Sequence, residues 1–281
     1  MSLAIFLTVL AAAAMHAGWN AFVKVKLDPL HAMAMISLAS AVFALPALIV
    51  TGWPRPEAWP WLIASLILHL GYYVGLSGAY RRADMSQIYP MARGGAPLLT
   101  AAVAMTVFGE HLALPQLAAI GLLGTGIMLI SILGRRRGAA FDPGALGFAA
   151  LTAVMISGYT LVDGLGARAA GDPHAYSAAL FVINGTPLIA YIALRGGRDA
   201  LTAMRPFWLQ GAAGGIMSLG AYWIAIWAMT VAPIPLVAAV RESSVLFAAV
   251  IAYVWLKEPL QASRLIGCGF IVAALALMRL A

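Results

Sequence analysis

Residues 240–265 read "VRESSVLFAAVIAYVWLKEPLQASRL", and residues 92–117 read "ARGGAPLLTAAVAMTVFGEHLALPQL". Laid over each other without gaps, at the spacing that separates Arg93 from Arg241, they also bring Glu110 onto Glu258 and Leu112 onto Leu260. Apolar runs match one another easily, so the charged coincidences carry the comparison. "HAGWNAF" at 16–22 falls in a similar way on "ISGYTLV" at 156–162, which makes Trp19 and Tyr159 mates. The chain therefore reads as two copies of one unit, 1–137 and 138–281.

The surroundings of these stretches say what kind of unit it is. Of 281 residues, 63% are hydrophobic and only 10% charged. Soluble domains carry about a quarter charged residues, so this chain lacks the polar surface to face water all round. Apolar windows separated by turn signals predict ten spans, at 2–22, 32–52, 60–80, 85–108, 115–134, 144–165, 174–194, 207–230, 235–256 and 261–279. Backbone polar groups in lipid need partners within the segment, so the spans should be helical. The N-terminal run has no basic residue ahead of it, unlike a signal peptide, and is taken as the first span. The single cysteine, Cys268, excludes an intrachain disulfide. The net charge of +7 falls mostly in short loops, which fits membrane orientation better than nucleic-acid binding.

Counted by loop, twelve Lys and Arg residues fall in the loops after odd-numbered spans and three in the even loops and termini. The positive-inside rule then places the odd loops in the cytoplasm and both termini outside. Five spans per unit is an odd number, so the second copy must insert upside down. Each loop that is basic in one half should be poor in charge in the other. "RRAD" after span 3 and "VAPIP" after span 8 follow that pattern, as do "PRPE" and "RGGRDALTAMR". The expected fold is an all-α polytopic membrane protein of ten transmembrane helices in two inverted five-helix repeats, a common transporter plan.

"FGEHLALPQLAAIGLLGTGIMLI" and "LKEPLQASRLIGCGFIVAALALM" share a Glu-x-Leu or Glu-Pro-Leu turn, a Gln or Arg shortly after, and a glycine-rich last helix. Both resemble the closing segment of an EamA domain. Two in tandem are similar to the drug/metabolite transporter superfamily, within which bacterial amino-acid and metabolite exporters look closest in size and layout. The resemblance implies a secondary transporter in the cytoplasmic (inner) membrane, acting on a small organic solute such as an amino acid, aromatic ones included. It also implies that both termini lie in the cytoplasm, opposite to the charge count.

Charges inside spans are costly and normally face a protein interior or a wet cavity. Arg241 and Arg93 enter from opposite ends and should reach one central cavity near the midplane. Glu242 follows Arg241 directly, and neighbours on a helix do not face each other, so its expected partner is Arg93. The other arginine is then left to grip an anionic group. Trp19, Tyr159, Tyr72, Tyr73, Tyr89, Tyr222, Trp223 and Trp227 are candidates to stack on an apolar or aromatic ligand. His16 and Asn20 are polar candidates in the first span, and His16 or Glu242 is the expected carrier should a proton be coupled. His69 and Asn184 read as interhelical hydrogen-bonding residues, Asp163 and Asp84 as solvated, Glu110 and Glu258 as helix-capping groups. Trp53, Trp59, Trp61, Trp208 and Trp255 read as interface anchors. "GYYVG" (71–75) and "GAAGG" (211–215) should let helices approach closely.

No P-loop, metal-ligand or nucleophile-elbow spacing is present, so no cofactor and no catalytic residue is expected. Partners reduce to the bilayer and a small-molecule substrate, with no oligomer required and no nucleic acid. The competing classes are an intramembrane enzyme acting on a lipid or isoprenoid, which would need more deep acids than Glu242, and a channel, which would usually need several subunits around a pore.

Overall fold

The computed structural model of the chain describes residues 1–22, 27–82, 85–133, 142–254, 257 and 262–280. Among them twelve α-helices follow one another: α1 (Leu3–Phe22), α2 (Pro29–Thr51), α3 (Trp59–Tyr80), α4 (Met85–Val107), α5 (Leu114–Leu133), α6 (Pro143–Ala169), α7 (Pro173–Gly185), α8 (Pro187–Met204), α9 (Trp208–Val231), α10 (Ile234–Glu242), α11 (Ser244–Val254) and α12 (Ala262–Leu280). Six stretches are long and apolar enough to cross a membrane, and two shorter apolar runs lie in α4 and α5. The protein is a multi-pass membrane protein.

Three Asp-Pro dipeptides start helices. Asp28, Asp142 and Asp172 cap α2, α6 and α7, accepting from the backbone N–H of Leu30 at 2.9 Å, Gly144 at 3.0 Å and His174 at 2.8 Å. The proline that follows each has no N–H to lose and a φ already suited to a first turn.

Two expected spans are broken. The seventh divides at Thr186, because the ring of Pro187 crowds the preceding turn and its missing N–H removes a rung. Helical structure then runs past the expected end at 194 to Met204, kinked at Gly197, whose φ of 58° suits only a residue without Cβ. The ninth divides at Ser243, directly after Glu242. There the Ser243 hydroxyl donates to the Val240 carbonyl at 2.6 Å and competes with the helical ladder.

Helix α3 packs along α6, α5 along α12, α1 along α9, α2 along α7 and α9, and α4 along α5 and α6. The two glycine motifs sit at such contacts. A Cβ on Gly75 would lie 2.7 Å from Thr152 Oγ1 of α6, and one on Gly215 would lie 2.6 Å from Ala39 Cβ of α2. The outer face is apolar: Ile49 and Val50 are 78% and 86% exposed, as suits a lipid-facing surface. Trp53, Trp59 and Trp208 are exposed near helix starts or ends, whereas Trp61 packs against the buried cluster around Tyr176; Trp255 lies outside the described residues.

Candidate functional site

The charges singled out by the sequence meet in the middle of the bundle. Arg93 of α4 and Glu242 of α10 are 3% and 1% exposed. One Arg93 nitrogen, Nη1, donates to both Glu242 oxygens, at 2.8 and 2.9 Å. This is the cross-repeat partner expected for Glu242. Arg93 Nη2 meets His16 Nε2 of α1. His16 Nδ1 accepts from Trp19 Nε1 at 3.2 Å, so both ring nitrogens of His16 face donors.

Arg241 is as buried as Arg93 but held more loosely. Its Nη2 lies 3.4 Å from Glu242 Oε1 and 3.3 Å from Thr160 Oγ1. Its Nε is buried with no hydrogen-bond partner in the protein. The guanidinium carbon lies 5.3 Å from the centre of the Tyr222 ring, within cation–π range.

Both arginines line a cavity with about 860 Å³ of atom-free space, its mouth included. From α1, His16 and Trp19 contribute, and from α2 Ser37 and Ser40. His69, Tyr72 and Tyr73 project from one face of α3 at the i, i+3, i+4 spacing that puts residues side by side. Tyr159, Phe181 and Tyr222 add aromatic surface from α6, α7 and α9. Tyr159 stacks on His69 at 4.3 Å between centroids and meets Tyr72 and Tyr222 edge-on, each at 6.0 Å. The result is an aromatic box with an arginine in its wall.

Eight of the sequence candidates therefore line one space: Arg241, Arg93, Trp19, Tyr159, Tyr222, His16, Tyr72 and Tyr73. Glu242 stands behind the wall as Arg93's counter-ion. Asn20 turns back to bond the His16 carbonyl at 2.7 Å. Trp223 bonds His174 Nδ1 at 2.9 Å, away from the cavity, and Trp227 packs against the apolar core. The side chain of Tyr89 lies outside what the structure describes, as do Asp84 and Glu258.

Asp163 corrects the sequence reading. It is fully buried rather than solvated. Its two oxygens accept from the hydroxyls of Tyr176 at 3.0 Å and Tyr222 at 2.5 Å. A buried carboxylate needs such donors, and helix α6 is long enough to keep position 163 inside the bundle. The sequence gives His69 and Asn184 only a helix-bridging role, yet both line the cavity. The shared face of His69, Tyr72 and Tyr73 is the signal that could have found the first of them.

Farther from the cavity, the loop after α4 meets the ends of α6 and α9. Glu110 pairs with Arg168 at 2.8 Å and also accepts from the Ile234 N–H at 3.1 Å. It thus caps α10, a helix of the other repeat. Arg168 bonds the carbonyls of Met229 and Ala232 at 2.9 and 3.2 Å. Among the described residues no cluster of three or more metal-ligating side chains forms.

Comparison with known proteins agrees with this architecture. A search among curated proteins finds no match. One crystal structure, described only as that of a protein, superposes with a TM-score of 0.75 at 19% identity, over 98% of this chain and 95% of its own. That likeness establishes the fold. The EamA-like transporter family matches twice in tandem, at residues 3–132 and 144–280, and the chain belongs to that family.

Proposed function

We propose that the protein is a secondary transporter that carries a small organic solute through this cavity by alternating access. The solute has an anionic group for Arg241 and an apolar or aromatic body for the box formed by Trp19, Tyr72, Tyr159 and Tyr222. Amino acids, aromatic ones included, and related carboxylates fit that description. The carrying observation is Arg241: a buried guanidinium in a cavity wall with its Nε unpartnered in the protein. Guanidinium offers a planar fork that matches a carboxylate. The family supports transport as the activity, and nothing in the arrangement favours an enzyme.

The cavity residues lie toward the loops after α1 and α3, while the Glu110–Arg168 contacts tie loops together at the other end. The loops on the cavity's side hold most of the basic residues, which supports a cytoplasm-facing cavity, both termini outside, and net export across an inner membrane. The two units, 1–137 and 138–281, are then inverted copies rocking about the cavity. Uptake of labelled phenylalanine and 3-phenylpropanoate into vesicles, with wild type and Arg241→Ala, tests the substrate reading. Transport of neither by wild type, or equal transport by the variant, overturns it. A periplasm-active reporter fused after Ala281 tests orientation, and activity of a cytoplasmic reporter at that point instead would reverse it.

A further inference from the structure

The polar wall of the cavity is charge-balanced. Arg93 and Arg241 are opposed by two buried carboxylates, Glu242 directly and Asp163 through Tyr222. A zwitterion entering this space leaves the balance unchanged, whereas a monoanion adds one uncompensated negative charge in surroundings where water screens poorly. Such a charge is avoided by changing the protonation of a neighbour.

Three neighbours are poorly placed to take the proton. Glu242 is held by both bonds from Arg93. His16 faces N–H donors at both ring nitrogens. Asp163 accepts a hydrogen bond from a phenol at each oxygen, and a proton there would weaken both. His69 differs. Its Nδ1 lies 2.9 Å from the Ser65 carbonyl, 3.1 Å from the Ser65 hydroxyl and 3.5 Å from Asn184 Nδ2. The shortest contact is to the carbonyl, which only accepts, so that contact places the hydrogen on Nδ1 and leaves Nε2 as an acceptor. The ring lines the cavity, and it lies within electrostatic reach of Asp163 and of Arg241.

The groups around it come from five neighbouring helices; one of them, α4, brings Arg93 to the same cavity wall. Helix α6 brings Asp163 and Tyr159, α7 brings Tyr176 and Asn184, α9 brings Tyr222, and α10 brings Arg241. Asp163 is the acid that favours a charged imidazole, and Arg241 opposes it. A bound anion covers Arg241 and tips that balance.

We propose that His69, with Asp163 behind it, is the site of a co-bound proton. When a monoanionic substrate seats on Arg241, one proton from solvent joins His69 Nε2, and it leaves with the substrate. A zwitterion seats without it. This rests on the anion-binding role of Arg241 proposed above.

The test is titration calorimetry of the purified full-length chain in detergent at about pH 7.5, above the ordinary histidine midpoint of about 6.5, where the free ring is mostly neutral. Buffers of different ionisation enthalpy report protons taken up per ligand. Uptake approaching one proton is expected with 3-phenylpropanoate and near zero with phenylalanine. His69→Gln should abolish the uptake and lower the ratio of phenylpropanoate to phenylalanine affinity by about tenfold, the equivalent of one pH unit of linkage. Phenylpropanoate bound by wild type without uptake, or uptake undiminished in His69→Gln, overturns the proton site and leaves the anion site standing. No binding of phenylpropanoate at all overturns both. The wild-type measurement decides even if the variant fails to fold.

Discussion

Arg93 and Arg241 are the same residue type, equally buried, matched in sequence by the repeat, and in the wall of one cavity. They differ in what holds them. Arg93 gives one nitrogen to both oxygens of Glu242 and another to His16, and so acts as a tie between α4, α10 and α1. Arg241 has two long contacts and an aromatic face. Close pairing with a counter-charge is thus what separates an arginine that holds helices together from one that can receive a ligand. Glu242 gives its short contacts to Arg93 and reaches Arg241 only at 3.4 Å, and the residue matching it in the first repeat is Gly94.

The strongest way to break this comparison is to remove the counter-charge. Glu242→Gln strands two buried guanidinium groups, and losing one partner of a buried pair costs about 3–5 kcal/mol. Thermal unfolding in detergent should show a larger loss than Arg241→Ala, Glu110→Gln or Trp223→Phe produces. Replacing Arg93 and Glu242 together with methionine should recover part of it, because only Arg241, with its longer contact, is then left without the carboxylate. If the double variant is no better, the pair is not what holds α4 to α10.

Arg241→Ala should act on binding more than on folding. A charge-assisted hydrogen bond contributes about 1.5–3 kcal/mol, so affinity for 3-phenylpropanoate should fall about 10- to 150-fold in monodisperse protein. Arg241→Lys should restore only part, since a point charge replaces a fork. Unchanged affinity would make Arg241 a structural tie like Arg93.

Glu110→Gln offers a milder ion-pair loss. Arg168 is 35% exposed, so the pair is partly screened and should contribute no more than about 1 kcal/mol, read as a small fall in unfolding temperature. A loss rivalling that of Glu242→Gln would mean the loop contacts matter as much as the buried pair. Trp223→Phe removes an indole bond to His174 outside the cavity and trims packing against the cluster around Tyr176; it should cost about 1 kcal/mol of stability and leave phenylpropanoate affinity unchanged.

The helical membrane architecture, the tandem units and the Arg93–Glu242 contact are legible in the sequence, because a charge within an apolar run restricts its own surroundings severely. The break at Ser243 is not, since a serine inside an apolar run is compatible with a continuous helix until its hydroxyl is seen to turn onto Val240. Asp163 escapes a reading of the sequence because it lies close to the expected end of a span, where an acid is usually hydrated. Only the fold brings Tyr176 and Tyr222 to it. Trp223 and Trp227 stand out by residue type and depth, and one-dimensional depth does not say which way a helix face points.

The Arg93–Glu242 contact also sets an order on how the protein comes to be made. The apolar part of α4 is short, Met91–Val107, and it carries an arginine near its start. An arginine raises the insertion free energy of a membrane helix by up to about 2.5–3.5 kcal/mol, the figure for the helix centre, and by less toward an end. During synthesis the acid that relieves Arg93 arrives 149 residues later. Until α10 emerges from the ribosome, Arg93 lacks the carboxylate that holds it in the folded bundle. The second half of the chain thus supplies the counter-charge that the first half lacks.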